Sequence, residues 1–291
     1  MFQETAAAPI RFPSTANLNI NSSDRLQQNN NITNASSADF TITKQGNILS
    51  GYFTRFGVCE LVLDWFIPNV NALYNHNKIS VSFNGSAFQE FKFDDGFYTV
   101  ESLMNKLVSD LNDFFSGAGF FIDGTTGNHN LQATAAFTIG DTPLARSLSF
   151  KIDDDDTINN FLFPNLLINE LQYLDFTCSN LTYQQGLKDA DTSAVVRDVL
   201  YRWHFAWDSP PQLDGLGYPI LQGYTPFLAR RYLNYPKQIR WDTQQPIGQL
   251  AFQVFNSDGQ IVRYTGDSLN VLSAIGSDGF EWSMNILVSE Q

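Results

Sequence analysis

From Gly57 to Asn69 the chain reads GVCELVLDWFIPN: Cys59, Leu61, Leu63, Trp65 and Ile67 fall on one side, Glu60 and Asp64 on the other, and Pro68-Asn69 stops the run. A period of two places alternate side chains on opposite faces of a strand, so one face is buried and the other is wet. The same alternation returns in FEWSMNILVSE, where Trp282, Met284, Ile286 and Val288 interleave with Ser283 and Asn285. Further strand-like runs are NELQYLDFTCSNLTY, AVVRDVLYRWHFAW, KQIRWD and GQLAFQVFNSDGQIVRY, with Asp258-Gly259 marking a hairpin. Short strands set off by turns, with a Pro/Gly-rich stretch SPPQLDGLGYP and no fixed-period repeat, predict a mainly β fold, a Greek-key sandwich or jelly roll.

One segment breaks the pattern. In GFYTVESLMNKLVSDLNDFFSG, residues 96–117, Val100, Leu103, Met104, Leu107, Val108, Leu111, Phe114 and Phe115 recur at spacings of three and four and form the apolar stripe of a helix. Thr99 suits the N-cap, Glu101 complements the positive end of the dipole, and Gly117 ends it. Before it, KISVSFNGSAFQEFKF places Asn84-Gly85 between two apolar runs, a pair that tolerates the positive φ angles of a type I′ hairpin. After it come two more strands, so residues 76–150 read β-β-α-β-β.

The chain has 291 residues, 43% hydrophobic and 14% aromatic, enough for a sizeable core. A net charge of -13 without any Lys/Arg cluster repels phosphate backbones and argues against nucleic-acid binding. The N-terminus lacks a basic segment followed by an apolar one, and no apolar run reaches the roughly 18 residues of a membrane span, so no membrane association and no secretion are expected. The sequons at Asn21, Asn31, Asn34, Asn84 and Asn180 then read as Asn-rich turns, and Cys59 and Cys178 as buried free thiols, with a single disulfide between them as the alternative. Residues 1–37, rich in Asn, Ser, Gln and Ala and weakly periodic, read as an arm for protein contact.

Catalytic and metal-binding patterns are thin. His76, His129 and His204 lie far apart, and there is no H-x-H, H-E-x-x-H, C-x-x-C, G-x-S-x-G or Walker loop. Asp153 to Asp156 offer carboxylates for Ca²⁺, but Thr157 and Ile158 stand where an EF-hand needs a ligand and a glycine, so the run reads as a solvated loop ending at a Thr157 helix cap. His204, with Asp208 nearby, reads as a structural histidine among aromatic strand residues. No metal, cofactor or enzymatic activity is expected. Trp203, Trp207, Tyr218 and Tyr224 flank the Pro/Gly loop; exposed, such rings hold sugars or partner chains, and otherwise they fill the core or a subunit interface.

The order of the segments carries a resemblance. A β run ending in IPN, then DGFYTVESLMNKLVSDLN, NLQATAAFTIGDTPLARSLSF with Leu144-Ala145 and Leu148-Ser149-Phe150, LQYLDFTCSNLTY, VVRDVLYRW and a terminal QLAFQVFNSDGQIVRY resemble the penton (minor capsid) proteins of virophages and Polinton-like viruses, over residues 38–291. The resemblance implies a single jelly roll formed by residues 38–75 and 168–291, with an inserted α+β lobe at 76–167. It also implies a non-enzymatic virion protein assembled in the infected cell, forming homopentamers at capsid vertices. Its partners would be neighbouring major capsid protein capsomers and internal minor capsid proteins, with room for a host surface receptor. A carbohydrate- or receptor-binding β-sandwich of the fibre-head kind, using the four aromatics above, stays open as the alternative, and a metal-dependent jelly-roll enzyme is the third reading.

Overall fold

The computed structural model describes residues 15–25, 36–43, 46, 48–49, 53–124, 130–160, 171–182, 199–205, 212–234, 239–240, 247–263 and 279–290. Its strands are β1 (Thr15–Asn21), β2 (Asp39–Thr43), β3 (Phe53–Trp65), β4 (Lys78–Phe83), β5 (Gln89–Lys92), β6 (Phe121–Asp123), β7 (Asn130–Ile139), β8 (Asp156–Asn160), β9 (Tyr173–Cys178), β10 (Val199–His204), β11 (Phe227–Tyr232), β12 (Ile239–Arg240), β13 (Gln249–Asn256) and β14 (Phe280–Glu290). Three sheets result: β1-β14-β3-β11, with β12 also on β3; β10-β9-β13-β2; and β5-β4-β7-β6, with β8 also on β7.

The first two sheets make a jelly roll. Taken in chain order without β4 to β8 and the two-residue β12, the strands pair first with last (β1–β14), second with seventh (β2–β13), third with sixth (β3–β11) and fourth with fifth (β9–β10). That is one long antiparallel hairpin wound into a sandwich. Its core is aromatic: Trp282 lies 5.3 Å from Phe176, 5.5 Å from Phe252 and 5.6 Å from Phe40, and Trp65 lies 5.0 Å from Phe205.

Two strands of the roll depart from expectation. Thr15–Asn21 is no free arm but a full strand along β14, Thr15 opposite Ser289 through Asn21 opposite Ser283. Its asparagines face solvent while Ile20 is buried, so its outer face mimics a loop composition. The inward register of β3 also changes at Cys59. Opposite β14, Glu60 pairs with Asn285 but Val58 pairs with Ile286, which leaves Cys59 as the extra residue of a β-bulge. Leu61, Leu63 and Trp65 point inward above it and Val58 and Phe56 below it, so Cys59 is only half-buried. Both cysteines are free thiols, and burial pushes that of Cys178 up to about 11.

The third sheet and its helices lie in the chain between β3 and β9, the third and fourth strands of the roll. Helix α1 (Val100–Phe114) is capped by Thr99, whose Oγ1 accepts from the Ser102 N–H. It packs on the lobe's own sheet through Val100, Leu103, Met104, Leu107 and Leu111, all buried, while Phe114 at its end is exposed. Burying each such aliphatic chain contributes about 2 kcal/mol. Asn84 and Gly85 both take positive φ, 49° and 72°, at the β4–β5 turn. A short helix α2 (Pro143–Ser147) follows β7. Thr157 does not cap a helix: Asp156–Asn160 is β8, paired with β7, where β-branched Thr157 and Ile158 fit a pleated surface. The expected lobe boundary at 167 falls outside the described residues.

Candidate functional site

Of the four aromatics singled out from the sequence, Trp203 is wholly buried in the sandwich core and Tyr224 in the core of the lobe, with Tyr218 packed against the latter. The first two therefore offer no ring face to a ligand. Trp207 and Asp208 lie outside the described residues, as does His129. His204 sits on the exposed side of β10, its ring 5.7 Å from that of Tyr173, and partial burial with the charges of Arg202 and Arg231 holds its pKa below the usual value. Asp153 to Asp156 are exposed; Asp154 pairs with Lys151 at 3.4 Å and Asp155 accepts from Thr138 at 3.3 Å. Among the described residues no three His, Cys, Asp or Glu side chains gather as a metal site would require.

Among the described residues, two places bring polar side chains of distant segments together near the lobe and at the sheet edges. At the first, the segment between β10 and β11 reaches across to the lobe. Asp214 accepts the Glu101 N–H at 3.0 Å, at the positive end of α1, and Glu101 in return accepts the Gly215 N–H at 2.8 Å. Asp214 also accepts from the N–H groups of Leu216 and Tyr218, which shapes the turn, while Tyr218, Ile220, Leu221 and Tyr224 pack into the lobe core. Burial, and after it the Asp214 charge, raises the Tyr218 phenol to about 12. Asp214→Ala is expected to destabilise this joint by about 1–2 kcal/mol, read as a lower urea midpoint with an unchanged slope.

The second place is the flank where β10 ends one sheet and β11 ends the other. Arg231 ties these edges together: its Nη2 donates to the His204 carbonyl at 2.8 Å, and its guanidinium lies 3.9 Å over the Trp203 ring. Arg202 forks onto buried Asp175 at 2.6 and 3.0 Å and stacks 4.0 Å over Tyr173. Arg230 pairs with Glu60 and lies 4.5 Å over Tyr232. Beyond these, Leu228 is 71% and Tyr232 62% exposed, the most exposed of the large hydrophobics described. Sequence reasoning passed over this strand. The available signal was FLARRY itself, where both alternating sets carry apolar or aromatic side chains, unlike a strand with one wet face.

No family model matches the chain, and no curated protein matches it. Two solved structures are similar to it over nearly their whole length. One is the crystal structure of the mavirus penton protein, 11% identical, covering 97% of this chain and 100% of that one, with a TM-score of 0.49. The other is the cryo-EM structure of the Sputnik virophage, 11% identical, covering 94% of this chain and 97% of that one, with a TM-score of 0.43.

Proposed function

We propose that this chain is a non-enzymatic capsid protein, the vertex capsomer of an icosahedral double-stranded DNA virus of the virophage or Polinton-like kind, acting as a homopentamer in the virion. The observation that carries the reading is the strand order: a jelly roll whose third and fourth strands are separated in the chain by the α+β segment that holds β4 to β8. Each sheet of the roll ends in strands paired on one side only among the described residues, β1 and β11 in one sheet, β10 and β2 in the other. Such edges are liabilities in a lone molecule and joints in an assembled one. An acidic net charge keeps the particle surface soluble. Neighbouring major capsid capsomers and internal minor proteins are the partners this role requires, with the lobe carried away from the shell and available to a host receptor.

The test is native mass spectrometry of the purified chain over a concentration series. A species of about five times the 32.8 kDa chain mass is expected. A trimer would move the reading to a fibre head or hexon-like capsomer, and a monomer at every concentration would overturn it.

A further inference from the structure

We propose that the β10–β11 flank is the surface by which one copy of this chain joins the next, docking head-to-tail onto the opposite flank formed by β1 and β2. The inference rests on the assembly reading above, though not on the number five.

The backbone argues first. Leu233 donates its N–H to the Cys59 carbonyl at 2.8 Å, so the groups of residue 233, and by alternation those of 231, 229 and 227, point toward β3. The N–H and C=O groups of Leu228, Arg230 and Tyr232 then point out of the sheet, and among the described residues no strand receives them. These are the residues whose side chains are also exposed. An edge strand is ordinarily protected by outward charges. Here Arg231 is turned onto Trp203 and Arg230 is neutralised by Glu60, which leaves Leu228 and Tyr232 as what the edge presents.

Charge selects the occupant. Besides the phenols of Tyr201 and Tyr232, the ionisable side chains of β10 and β11 are Arg202, His204, Arg230 and Arg231, and their carboxylate partners are Asp175 and Glu60, so three guanidiniums face two carboxylates in a chain of net charge -13. On the opposite flank, β1, the turn after it and β2 bear Asp24 and Asp39, with Arg25 buried against Glu281. Pairing two β11 edges about a twofold axis would set arginines against their own copies, which is unfavourable across a ladder. Setting β10–β11 of one copy on β1–β2 of the next opposes unlike charges and uses both open edges of each copy. Such a heterologous contact repeats from copy to copy and makes a ring where the rotation between copies closes.

The experiment uses the full chain in native mass spectrometry, as wild type and as Leu228→Glu and Asp39→Arg, each alone and then mixed with one variant mass-tagged. Both substituted side chains are exposed, so unchanged circular dichroism is expected. Each variant alone should dissociate, with association about a hundredfold weaker. The mixture should give heterodimers and nothing larger, because the sound β10–β11 flank of Asp39→Arg meets the sound β1–β2 flank of Leu228→Glu at one joint only. Should Leu228→Glu misfold, Arg230→Pro takes its place, removing an outward N–H without breaking the ladder to β3. Rings that persist in both variants overturn the inference and leave the assembly reading standing. Variants that dissociate and fail to pair on mixing overturn the head-to-tail geometry, and a wild type that never associates overturns both readings.

Discussion

Glu281→Ala is expected to lower the unfolding free energy by about 3 kcal/mol, the cost of taking its half-buried carboxylate away from a buried guanidinium. Arg25 is the reason. Its side chain is 1% exposed, it donates from Nη1 to Glu281 Oε2 at 2.7 Å and from Nη2 to Oε1, and it lies in the segment just after β1. Ser22 adds its Oγ–H to the same carboxylate and accepts the Trp282 N–H at 2.9 Å, while the Trp282 indole donates to the Ser37 carbonyl at 2.8 Å. One carboxylate therefore fastens the N-terminal strand to β14, beside the tryptophan at the centre of the sandwich. Glu281→Gln, which keeps the acceptor and loses the charge, should cost about half as much. Asp64, held above the usual carboxylate range by burial first and the Glu281 charge second, should titrate lower in both variants. Urea unfolding gives the stability and carboxyl NMR the Asp64 shift; a Glu281→Ala loss under about 1 kcal/mol would mean that the pair does not anchor β1.

The same anchor shows why part of the fold was legible and part was not. Period two in Leu61, Leu63 and Trp65 and in Trp282, Met284, Ile286 and Val288 read directly as sandwich strands because their core face is continuous. Thr15–Asn21 did not, because burial there is confined to Ile20 and the strand is held by a distant carboxylate and by the backbone ladder. The bulge at Cys59 was hidden for a related reason: an alternating pattern assumes constant register, whereas register depends on the partner strand. The α1 stripe was legible to its last turn, where Phe114 leaves the core for an edge contact with Phe91 at 5.7 Å. The flank was least visible. Leu228 and Tyr232 follow a strand alternation that says which face they occupy but not whether that face is wet or covered, and Asp214 acts on a helix 113 residues away.

Acidification from pH 6.5 to 4 should remove about 3 kcal/mol of stability through one residue, His76, and the loss should be absent in His76→Gln. His76 is fully buried where the chain leaves β3 for the lobe. Its Nδ1 lies 3.1 Å from the Asn69 carbonyl, which can only accept, so Nδ1 carries the proton and Nε2 accepts from Ser147 Oγ at 2.8 Å. Asn69 in turn holds Tyr98 through two hydrogen bonds, and Val70 pairs with Gly96, so the imidazole braces the crossing between roll and lobe against α2. Burial lowers its pKa to about 4 against the opposing pull of the Asn69 carbonyl. The neutral form is favoured in the folded state and the unfolded chain binds the extra proton. Stability from this group is thus complete above about pH 6.5, falls as pH drops toward 4, and changes no further below it. Glutamine can donate to Asn69 and accept from Ser147 but does not titrate, so the difference between the two unfolding curves isolates His76 from the carboxylates. Equal slopes of stability against pH in wild type and His76→Gln would show that the crossing is held by Asn69 and the Val70–Gly96 pair alone.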